Sequence, residues 1–313
     1  MTGPAEPPPA VPGIPGPGPS RRRAATDERT GRRRDRSRPP LPDPLPHPVV
    51  DSHCHLDIAD GDDDDHVALD ELLGAAASVG VPRVVQIGCD LPGARWSVAQ
   101  VERHPAVVAG VSLHPNEAPR LEAAGQLDAA LAEIAEIAGS STRVRAVGET
   151  GLDFFRTGPE GRAAQERSFR THIRLAHQLA KTLVIHDRDA HDDVLRVLDE
   201  EGVPDRTVMH CFSGDADFAA ACLDRGAYLS FAGTVTFANA APLRTALART
   251  PLDRVLVETD APYLTPVPFR GRPNASYLIP CTLRVMADTL GHDLAEVCAA
   301  IDANTNLAFG GSW

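Results

Sequence analysis

The chain has 313 residues, of which 31 are basic and 43 acidic, so its formal net charge is −12. This acidic balance argues against a broad basic groove for duplex DNA. No stretch approaches the roughly 18 apolar residues that span a bilayer, so a membrane protein is not expected. The six Cys residues are scattered without a C-x-x-C pair, which disfavours a structural zinc site and predicts a cytoplasmic protein with reduced thiols.

The first 46 residues differ in composition from the rest. They contain runs of Pro and Gly and nine Arg against five acidic residues, a net charge of +4, which leaves −16 on residues 47–313. Such a segment has little apolar surface to bury, so it is predicted to be a disordered tail. No export signal is expected, because Ala24-Ala25-Thr26-Asp27-Glu28 follows the Arg run where an apolar stretch should stand. A solvated tail is favoured over one that contacts nucleic acid or anionic surfaces.

In chain order, short β-branched runs alternate with longer helical patterns. Eight candidate strands cover residues 49–51, 83–87, 107–111, 143–147, 183–185, 207–209, 227–231 and 254–257. Candidate helices lie between them at 67–79, 93–103, 121–138, 161–180, 190–201, 215–225 and 239–249, with two more in 280–308. This alternation favours a parallel sheet with crossover helices, and eight units favour closure into an α/β barrel of the TIM type. Residues 47–313 match the roughly 250 residues of such a domain. A dinucleotide-binding sheet is disfavoured because no G-x-G-x-x-G follows the first strand.

Five polar motifs follow strands of this predicted barrel. They are D-S-H-C-H at 51–55, G-E-T-G-L-D at 148–153, V-I-H at 184–186, M-H-C-F-S-G at 209–214 and E-T-D-A-P at 258–262. In such barrels the active site is built at the carboxyl ends of the strands, so motifs far apart in sequence meet at one mouth. Together the motifs supply four His and, in Glu149 and Asp260, two carboxylates as candidate ligands, which predicts a site for two divalent metal ions.

The four histidines are predicted metal ligands. His53 and His55 are two residues apart, which places both imidazoles on one face of a strand where they can bind one cation. His186 and His210 end successive strands, and neutral imidazole is a common ligand of divalent transition metals. The alternative for His53 and His55 is a pair of unrelated histidines at a strand end, and for His186 and His210 it is a packed core histidine. The accompanying carboxylates disfavour both.

Glu149 and Asp260 are the predicted catalytic carboxylates and also metal ligands. The two oxygens of Glu149 can each bind one ion, so Glu149 is the predicted bridge. A carboxylated Lys has this role in many binuclear barrels, but Lys181, the only Lys in the chain, precedes its strand. Asp260 is expected to bind a metal and to accept a proton from the attacking water.

Four further residues have expected supporting roles. Glu258 and Asp153 are expected to hold metal-binding histidines in place from outside the ligand set. His114 and Arg188 follow strands at the same barrel end, and both are predicted to contact a substrate phosphate. A buried ion pair is the alternative for Glu258, and ordinary loop hydrogen bonds are the alternative for the other three.

Together these motifs resemble the TatD family of metal-dependent deoxyribonucleases in the amidohydrolase-like superfamily. The resemblance rests on D-S-H-C-H-L-D at 51–57, G-E-T-G-L-D-F at 148–154, I-H-D-R-D-A at 185–190, H-C-F-S-G at 210–214 and E-T-D-A-P-Y-L-T-P at 258–266. It covers residues 49–309. It implies hydrolysis of phosphodiester bonds in DNA, often by 3′–5′ trimming of single strands, with Mg²⁺, Mn²⁺ or Zn²⁺ as the metal. RNA is left open as a further substrate.

The resemblance also implies how the ligands divide between two ions. One ion would be held by His53, His55, Glu149 and Asp260, and the other by Glu149, His186 and His210. The chain departs from the family at Asn274-Ala275-Ser276, where many members have Asn-Glu-Pro, so no substrate role is carried over to this loop. The tail is outside the family pattern and inherits no role from it.

Two other functions remain open from the residues alone. A binuclear site polarises carbonyl and phosphoryl oxygens alike, so hydrolysis of an ester or amide, including deacylation of aminoacyl-tRNA, is an alternative. A metal-binding scaffold whose tail recruits a partner is the non-enzymatic alternative. No obligate protein partner is evident in the sequence, and no membrane partner is expected.

Overall fold

An eight-stranded parallel sheet lies at the centre of a computed structural model that describes residues 19–26, 31–60 and 68–313. Ten strands occur in these ranges: β1 (Arg21–Arg22), β2 (Val50–Cys54), β3 (Ile58–Ala59), β4 (Arg83–Gly88), β5 (Val107–Val111), β6 (Val144–Asp153), β7 (Thr182–Arg188), β8 (Thr207–Met209), β9 (Tyr228–Phe231) and β10 (Val255–Val257). The large sheet has the order β2-β4-β5-β6-β7-β8-β9-β10, with all neighbours parallel. All eight predicted strands are present, and β6 and β7 continue beyond their predicted ends.

Backbone hydrogen bonds close this sheet just beyond its first and last strands. Asp260 N donates to His53 O at 3.0 Å, and His55 N donates to Ala261 O at 2.8 Å. The segments after β10 and β2 are therefore paired at the carboxyl end of the barrel. The predicted α/β barrel of the TIM type is confirmed.

Helices cover the outside of the barrel between successive strands. They are α1 (Leu69–Ser78), α2 (Leu91–Val101), α3 (Glu117–Ala123), α4 (Leu127–Gly139), α5 (Pro159–Leu179), α6 (His191–Glu201), α7 (Ala216–Asp224), α8 (Ala241–Arg249), α9 (Ile279–Leu290) and α10 (Leu294–Ala308). The predicted single helix at 121–138 is in fact two, because the chain turns at Gly125 with a φ of 66° that an L residue rarely adopts. In the described part of the chain, no helix is both long and apolar enough to cross a membrane.

One buried cluster takes a side chain from every strand of the barrel, as expected for its interior. Its strand members are Val50, Val85, Ile87, Val108, Ala146, Val184, Val208, Tyr228 and Leu256. Because alternate residues of a strand share a face, the residue two positions after each of these points along the same inner face toward the barrel mouth. The hydrophobic interior thus determines which polar residues reach the mouth.

Residues 19–26 and 31–46 lie against the barrel, which differs from the disorder predicted for residues 1–46. Leu45 N donates to Val79 O at 3.0 Å, and the Tyr277 hydroxyl donates to Pro39 O at 2.9 Å. The segment offers few apolar groups, so polar partners on the barrel hold it in place. Residues 1–18 and 27–30 lie outside the described residues, and the domain boundary at residue 46 stays a prediction.

Candidate metal centre

The barrel interior places four polar side chains at the mouth by strand alternation. Each follows a buried apolar residue by two positions, in the pairs Ile87 and Cys89, Val184 and His186, Val208 and His210, and Leu256 and Glu258. The pairs come from β4, β7, β8 and β10, so the four polar side chains surround one space.

Glu149 reaches this space from inside β6, where two glycines allow a close approach to β7. A Cβ on Gly148 would lie 2.4 Å from Val184 O, and one on Gly151 would lie 2.0 Å from His186 O. Both glycines also have a φ, 149° and 139°, that L residues rarely adopt. The G-E-T-G spacing therefore reflects the passage of β6 against β7, with the carboxylate between the two glycines directed into the mouth.

One oxygen of Glu149 faces the histidines of the first motif. Its Oε1 lies 3.7 Å from His53 Nε2 and 3.5 Å from His55 Nε2. Asp260 Oδ1 lies on the same side, 3.2 Å from His55 Nε2 and 3.9 Å from His53 Nε2. These four residues, two imidazoles and two carboxylates, form one half of the centre.

The other oxygen of Glu149 faces the histidines of β7 and the loop after β8. Its Oε2 lies 3.1 Å from His186 Nδ1 and 2.7 Å from His210 Nε2. The ring of His210 also stacks on that of His53 at 3.8 Å between centroids. The carboxylate of Glu149 thus lies between two pairs of imidazoles, with one oxygen directed at each pair.

Two of the imidazoles are fixed from behind by oxygen acceptors. His55 Nδ1 lies 3.0 Å from Ile87 O, and His210 Nδ1 lies 3.0 Å from Glu258 Oε1. When Nδ1 donates to these acceptors, Nε2 of each ring carries the lone pair and faces Glu149. Glu258 is completely buried and lies behind His210, and its role in holding that ring stays a prediction.

Asp153 has the matching position behind His186. Its Oδ2 lies 3.5 Å from His186 Nε2 and accepts a hydrogen bond from Asn116 Nδ2 at 3.0 Å. Burial would raise the pKa of Asp153, but the hydrogen bonds from His186 and Asn116 outweigh it and hold that pKa well below 3.8. An ionised Asp153 can therefore accept a hydrogen bond from Nε2–H of His186, which leaves Nδ1 of that ring with its lone pair for a metal.

The donor atoms are close enough together to hold metal ions. Three overlapping groups have all their donor atoms within 4.8 Å of one another: His53, His210 and Asp260; His53, His55 and Glu149; and His114, Glu149 and His186. Both ring nitrogens of His53 are buried with no hydrogen-bond partner in the described ranges, an arrangement that a bound cation would satisfy. The residues present therefore fit a divalent metal.

Electrostatics keep the two central carboxylates ionised. Burial opposes the charge of Glu149, but His210, His114 and His186 together hold its pKa well below the ordinary value of 4.5. Burial likewise opposes the charge of Asp260, but His55 holds its pKa below 3.8. Both side chains are thus in the deprotonated form that binds metal.

His114 lies beside Glu149 and His186, but its hydrogen bonding differs from that of the other histidines. Its Nδ1 accepts a hydrogen bond from Asn116 N at 3.0 Å, so the proton of the neutral ring is on Nε2, 3.9 Å from Glu149 Oε2. Burial, with repulsion from His186, lowers the pKa of His114 to about 3 despite the charge of Glu149. His114 therefore presents an N–H donor to the centre.

Arg188, the other predicted substrate contact, ends β7 at the rim of the mouth. Its guanidinium carbon lies 3.9 Å from the centroid of the Phe155 ring. That ring is 62% exposed. A phosphate contact for Arg188 stays a prediction.

Two residues near the centre were not identified from the sequence. Cys89 donates from Sγ to Glu149 Oε1 at 3.1 Å, and burial raises the pKa of its thiol well above 9. Its position in the sequence could have identified Cys89, because Cys89 comes directly after β4, at the carboxyl end where such barrels build their sites. His172 is buried in α5, and its Nε2 accepts from Leu113 N at 3.2 Å. No local signal in α5 marks that contact.

A parallel barrel whose strand ends gather buried histidines and carboxylates defines a metal-dependent hydrolase of the amidohydrolase-like type. The model of the TatD-related DNase family matches residues 50–310, and the chain belongs to that family. The resemblance seen in the motifs is thereby confirmed.

Relatives of known sequence and structure agree with this assignment. A protein of Mycobacterium tuberculosis named uncharacterized metal-dependent hydrolase TatD is 42% identical over 269 residues, which cover 85% of this chain and 99% of that protein. The hydrolase YcfH of Escherichia coli K12 is 40% identical over 253 residues, 80% of this chain and 92% of YcfH. The crystal structure of YJJV, a TatD homologue of Escherichia coli K12, superposes with a TM-score of 0.76 at 26% identity, covering 84% of this chain and 98% of YJJV.

Proposed function

We propose that the protein hydrolyses phosphodiester bonds in DNA with two divalent metal ions, as a 3′–5′ exonuclease on single strands. The observation that carries the proposal is the position of Glu149, whose two oxygens face two separate pairs of imidazoles. One ion would be held by His53, His55, Glu149 and Asp260, and the other by Glu149, His186 and His210. Mixed imidazole and carboxylate ligands suit Mn²⁺ and Zn²⁺, and Mg²⁺ is the further candidate.

Residues of the chain accept the proton and orient the metal-binding histidines in the proposed reaction. Two bound divalent ions would lower the pKa of a water and neutralise charge on the phosphoryl group. Asp260, ionised and at the mouth, is the group that accepts the proton of the attacking water. Glu258 and Asp153 hold His210 and His186 in the orientation that the ligand role needs. Asp260 and Glu149 are thus the proposed catalytic residues.

Removing His114 is expected to lower turnover without removing metal. In His114→Ala the N–H donor that faces the centre is lost, so we expect kcat on DNA to fall about 10²- to 10³-fold, the usual contribution of one donor to developing charge. Metal content, measured by mass spectrometry of the purified protein, should stay at the wild-type level. Loss of one ion per chain would instead make His114 a ligand and contradict its donor role.

The family supports DNA as the substrate class, since the matching model describes a TatD-related DNase. Single-strand preference and action on RNA are proposals that follow from the same resemblance. All six cysteines are free thiols, which supports the proposed cytoplasmic location.

The proposal is tested by a metal-dependent digestion of labelled DNA. Full-length protein treated with a chelator is given Mg²⁺, Mn²⁺ or Zn²⁺ separately and incubated with 3′- or 5′-labelled single- and double-stranded DNA. We expect no cleavage with chelator and, with metal, early release of the 3′ label from single strands together with a shortening ladder of 5′-labelled products. Cleavage in the presence of chelator would contradict a metal-dependent reaction.

A substrate panel separates DNA from the alternatives. RNA, aminoacyl-tRNA and simple esters or amides are offered at matched concentrations under the same metal conditions. If single-stranded DNA stays intact with all three ions while an aminoacyl ester or amide is hydrolysed, the phosphodiester proposal is wrong and the alternative replaces it.

A further inference from the structure

One aromatic side chain is exposed at the rim of the metal centre. Among the residues that the structure describes, four large hydrophobic side chains are exposed, and Phe155 is the only aromatic one, at 62%. The other three are Leu41, Val267 and Leu307. Burying an aromatic ring stabilises a fold, so a ring that stays in water beside the centre is a candidate for ligand binding.

The chain places Phe155 close to the metal-binding residues. Phe155 comes two residues after Asp153, whose Oδ2 lies 3.5 Å from His186 Nε2, and two residues span at most about 7 Å. The guanidinium carbon of Arg188 lies 3.9 Å from the centroid of the Phe155 ring. Arg188 comes two residues after His186 on the same face of β7. Both members of this pair are therefore two residues from a side chain of the centre.

Backbone hydrogen bonds hold the turn that carries the exposed ring. Arg156 N donates to Asp153 Oδ1 at 2.8 Å, and Thr157 N donates to Asp153 O at 3.2 Å. Phe154 N donates to Arg188 O at 2.9 Å, which ties the turn to the end of β7. The backbone on either side of the ring is therefore fixed.

A buried glutamine of α5 braces the same turn. Gln165 is completely buried. Its Oε1 accepts from Asp153 N at 3.0 Å, and its Nε2 donates to Thr157 Oγ1 at 2.8 Å. The Thr157 hydroxyl in turn donates to Asn116 Oδ1 at 3.2 Å. A satisfied buried network holds one geometry, so little conformational freedom is lost when a ligand binds to this turn.

The chemistry of the Phe155–Arg188 pair matches an unpaired nucleotide. A nucleobase stacks on an aromatic ring, and the contact tolerates any sequence because every base has an aromatic face. The exposure of Phe155 leaves most of its side chain accessible to such a base. The guanidinium beside the ring complements the negative phosphate of the same strand. Bases in a duplex are already paired and stacked, so the pair favours single strands.

We propose that Phe155 is a stacking platform for an unpaired nucleobase of a nucleotide next to the scissile phosphodiester bond, with Arg188 supporting its ring. This inference rests on the proposed function, which it deepens by naming the residue through which single strands are preferred to duplexes. Phe155 binds and positions the substrate and takes no part in proton transfer.

Binding without catalysis measures the platform directly. A fluorescent single-stranded oligodeoxynucleotide and a blunt duplex of the same sequence are titrated with full-length protein in chelator. One stacked base contributes about 5- to 150-fold in affinity, so Phe155→Ala should bind the single strand about tenfold more weakly and the duplex within about twofold of wild type. Phe155→Tyr keeps the aromatic face and should bind like wild type. Equal loss on both DNAs would mean that the ring meets no unpaired base and would overturn the proposal.

Leu307→Ala is the matched control for removal of an exposed hydrophobic side chain. Leu307 is 65% exposed near the end of α10. Its neighbours Asp302 and Asn306 contact Arg83 at the start of β4, so Leu307 lies at the amino end of the barrel, away from the mouth. Its removal should change DNA binding by less than about twofold. A loss equal to that of Phe155→Ala would show a general surface effect and contradict a local platform.

A set of oligonucleotides that each lack one base identifies the stacked nucleotide. An abasic site is placed in turn at each of the last three nucleotides of either end. Where the missing base is the stacked one, wild-type protein should lose about tenfold in affinity, whereas Phe155→Ala should lose almost none, because both changes remove the same contact. Independent losses at every position would show that Phe155 touches no base, and the proposal would be wrong.

Cleavage assays keep this test distinct from that of the proposed function. With metal, Phe155→Ala should raise the KM for single-stranded DNA about tenfold, with kcat and Tm nearly unchanged, because the ring contributes binding only. If wild-type protein binds single strands through Phe155 but cleaves no DNA, the proposed function fails and the platform stands. If DNA is cleaved and Phe155→Ala binds and cleaves it like wild type, the platform fails and the proposed function stands.

Discussion

Glu149→Ala is expected to abolish hydrolysis and to release both metal ions. Among the residues that the structure describes, its side chain is the only carboxylate that faces both imidazole pairs, at 2.7 to 3.7 Å. Its removal takes a negatively charged ligand from each ion, and neither half of the centre can supply a substitute. We expect kcat to fall at least about 10⁴-fold, or about 5 kcal/mol, because the ions supply several kcal/mol of transition-state stabilisation.

Metal binding gives a readout of Glu149→Ala that does not depend on activity. An ion at a hundredfold excess over its Kd raises the free energy of unfolding by about 2.7 kcal/mol, so added Mn²⁺ or Zn²⁺ should stabilise the wild-type protein but not the variant. Glu136→Ala, an exposed change on the outer helix α4, is the matched control and should behave like wild type. A variant that keeps two ions per chain would contradict the bridging role.

Several polar side chains at the mouth were predictable because their positions follow from strand alternation. His186, His210 and Glu258 each come two residues after a buried β-branched or aliphatic residue in the sequence, so a correct strand prediction places them at the mouth. Glu149 is less regular. The pairing of β6 with β7 shifts register between Val147 and Thr150, and the glycines around Glu149 permit a close backbone approach that alternation alone does not describe.

Contacts between distant segments were not predictable. The docking of residues 19–26 and 31–46 on the barrel depends on Asp57 and Asp60, which accept hydrogen bonds from Ser20 and Arg34. Composition does not reveal these contacts. The contact of His172 with Leu113 N likewise joins residues 59 positions apart. A helical pattern identifies which face of α5 is apolar, but it does not identify the loop against which one polar residue of that face packs.

Asp260→Asn is expected to separate metal binding from proton transfer. Asp260 has a φ of 53°, a left-handed conformation that Asn adopts readily and Ala does not. The substitution therefore preserves the backbone, including the bond from residue 260 N to His53 O that closes the barrel. The amide oxygen can still face the first ion, but an amide cannot accept the proton of the attacking water. We expect kcat to fall about 10²- to 10⁴-fold, the usual contribution of a general base.

The metal content of Asp260→Asn decides what that loss means. If mass spectrometry finds close to the wild-type number of ions and the Tm is unchanged, the lost activity belongs to the proton acceptor. Asp260→Ala should lose activity to a similar or greater extent but with a lower Tm, since it adds backbone strain of about 1 kcal/mol or more in the left-handed region. An Asp260→Asn protein with full metal content and wild-type kcat would contradict the assignment of the base. Asp260 lies 3.2 Å from His55 and 3.9 Å from His53. Glu149 is the other described carboxylate within 4 Å of both imidazoles, so the proton acceptor would then have to be sought there.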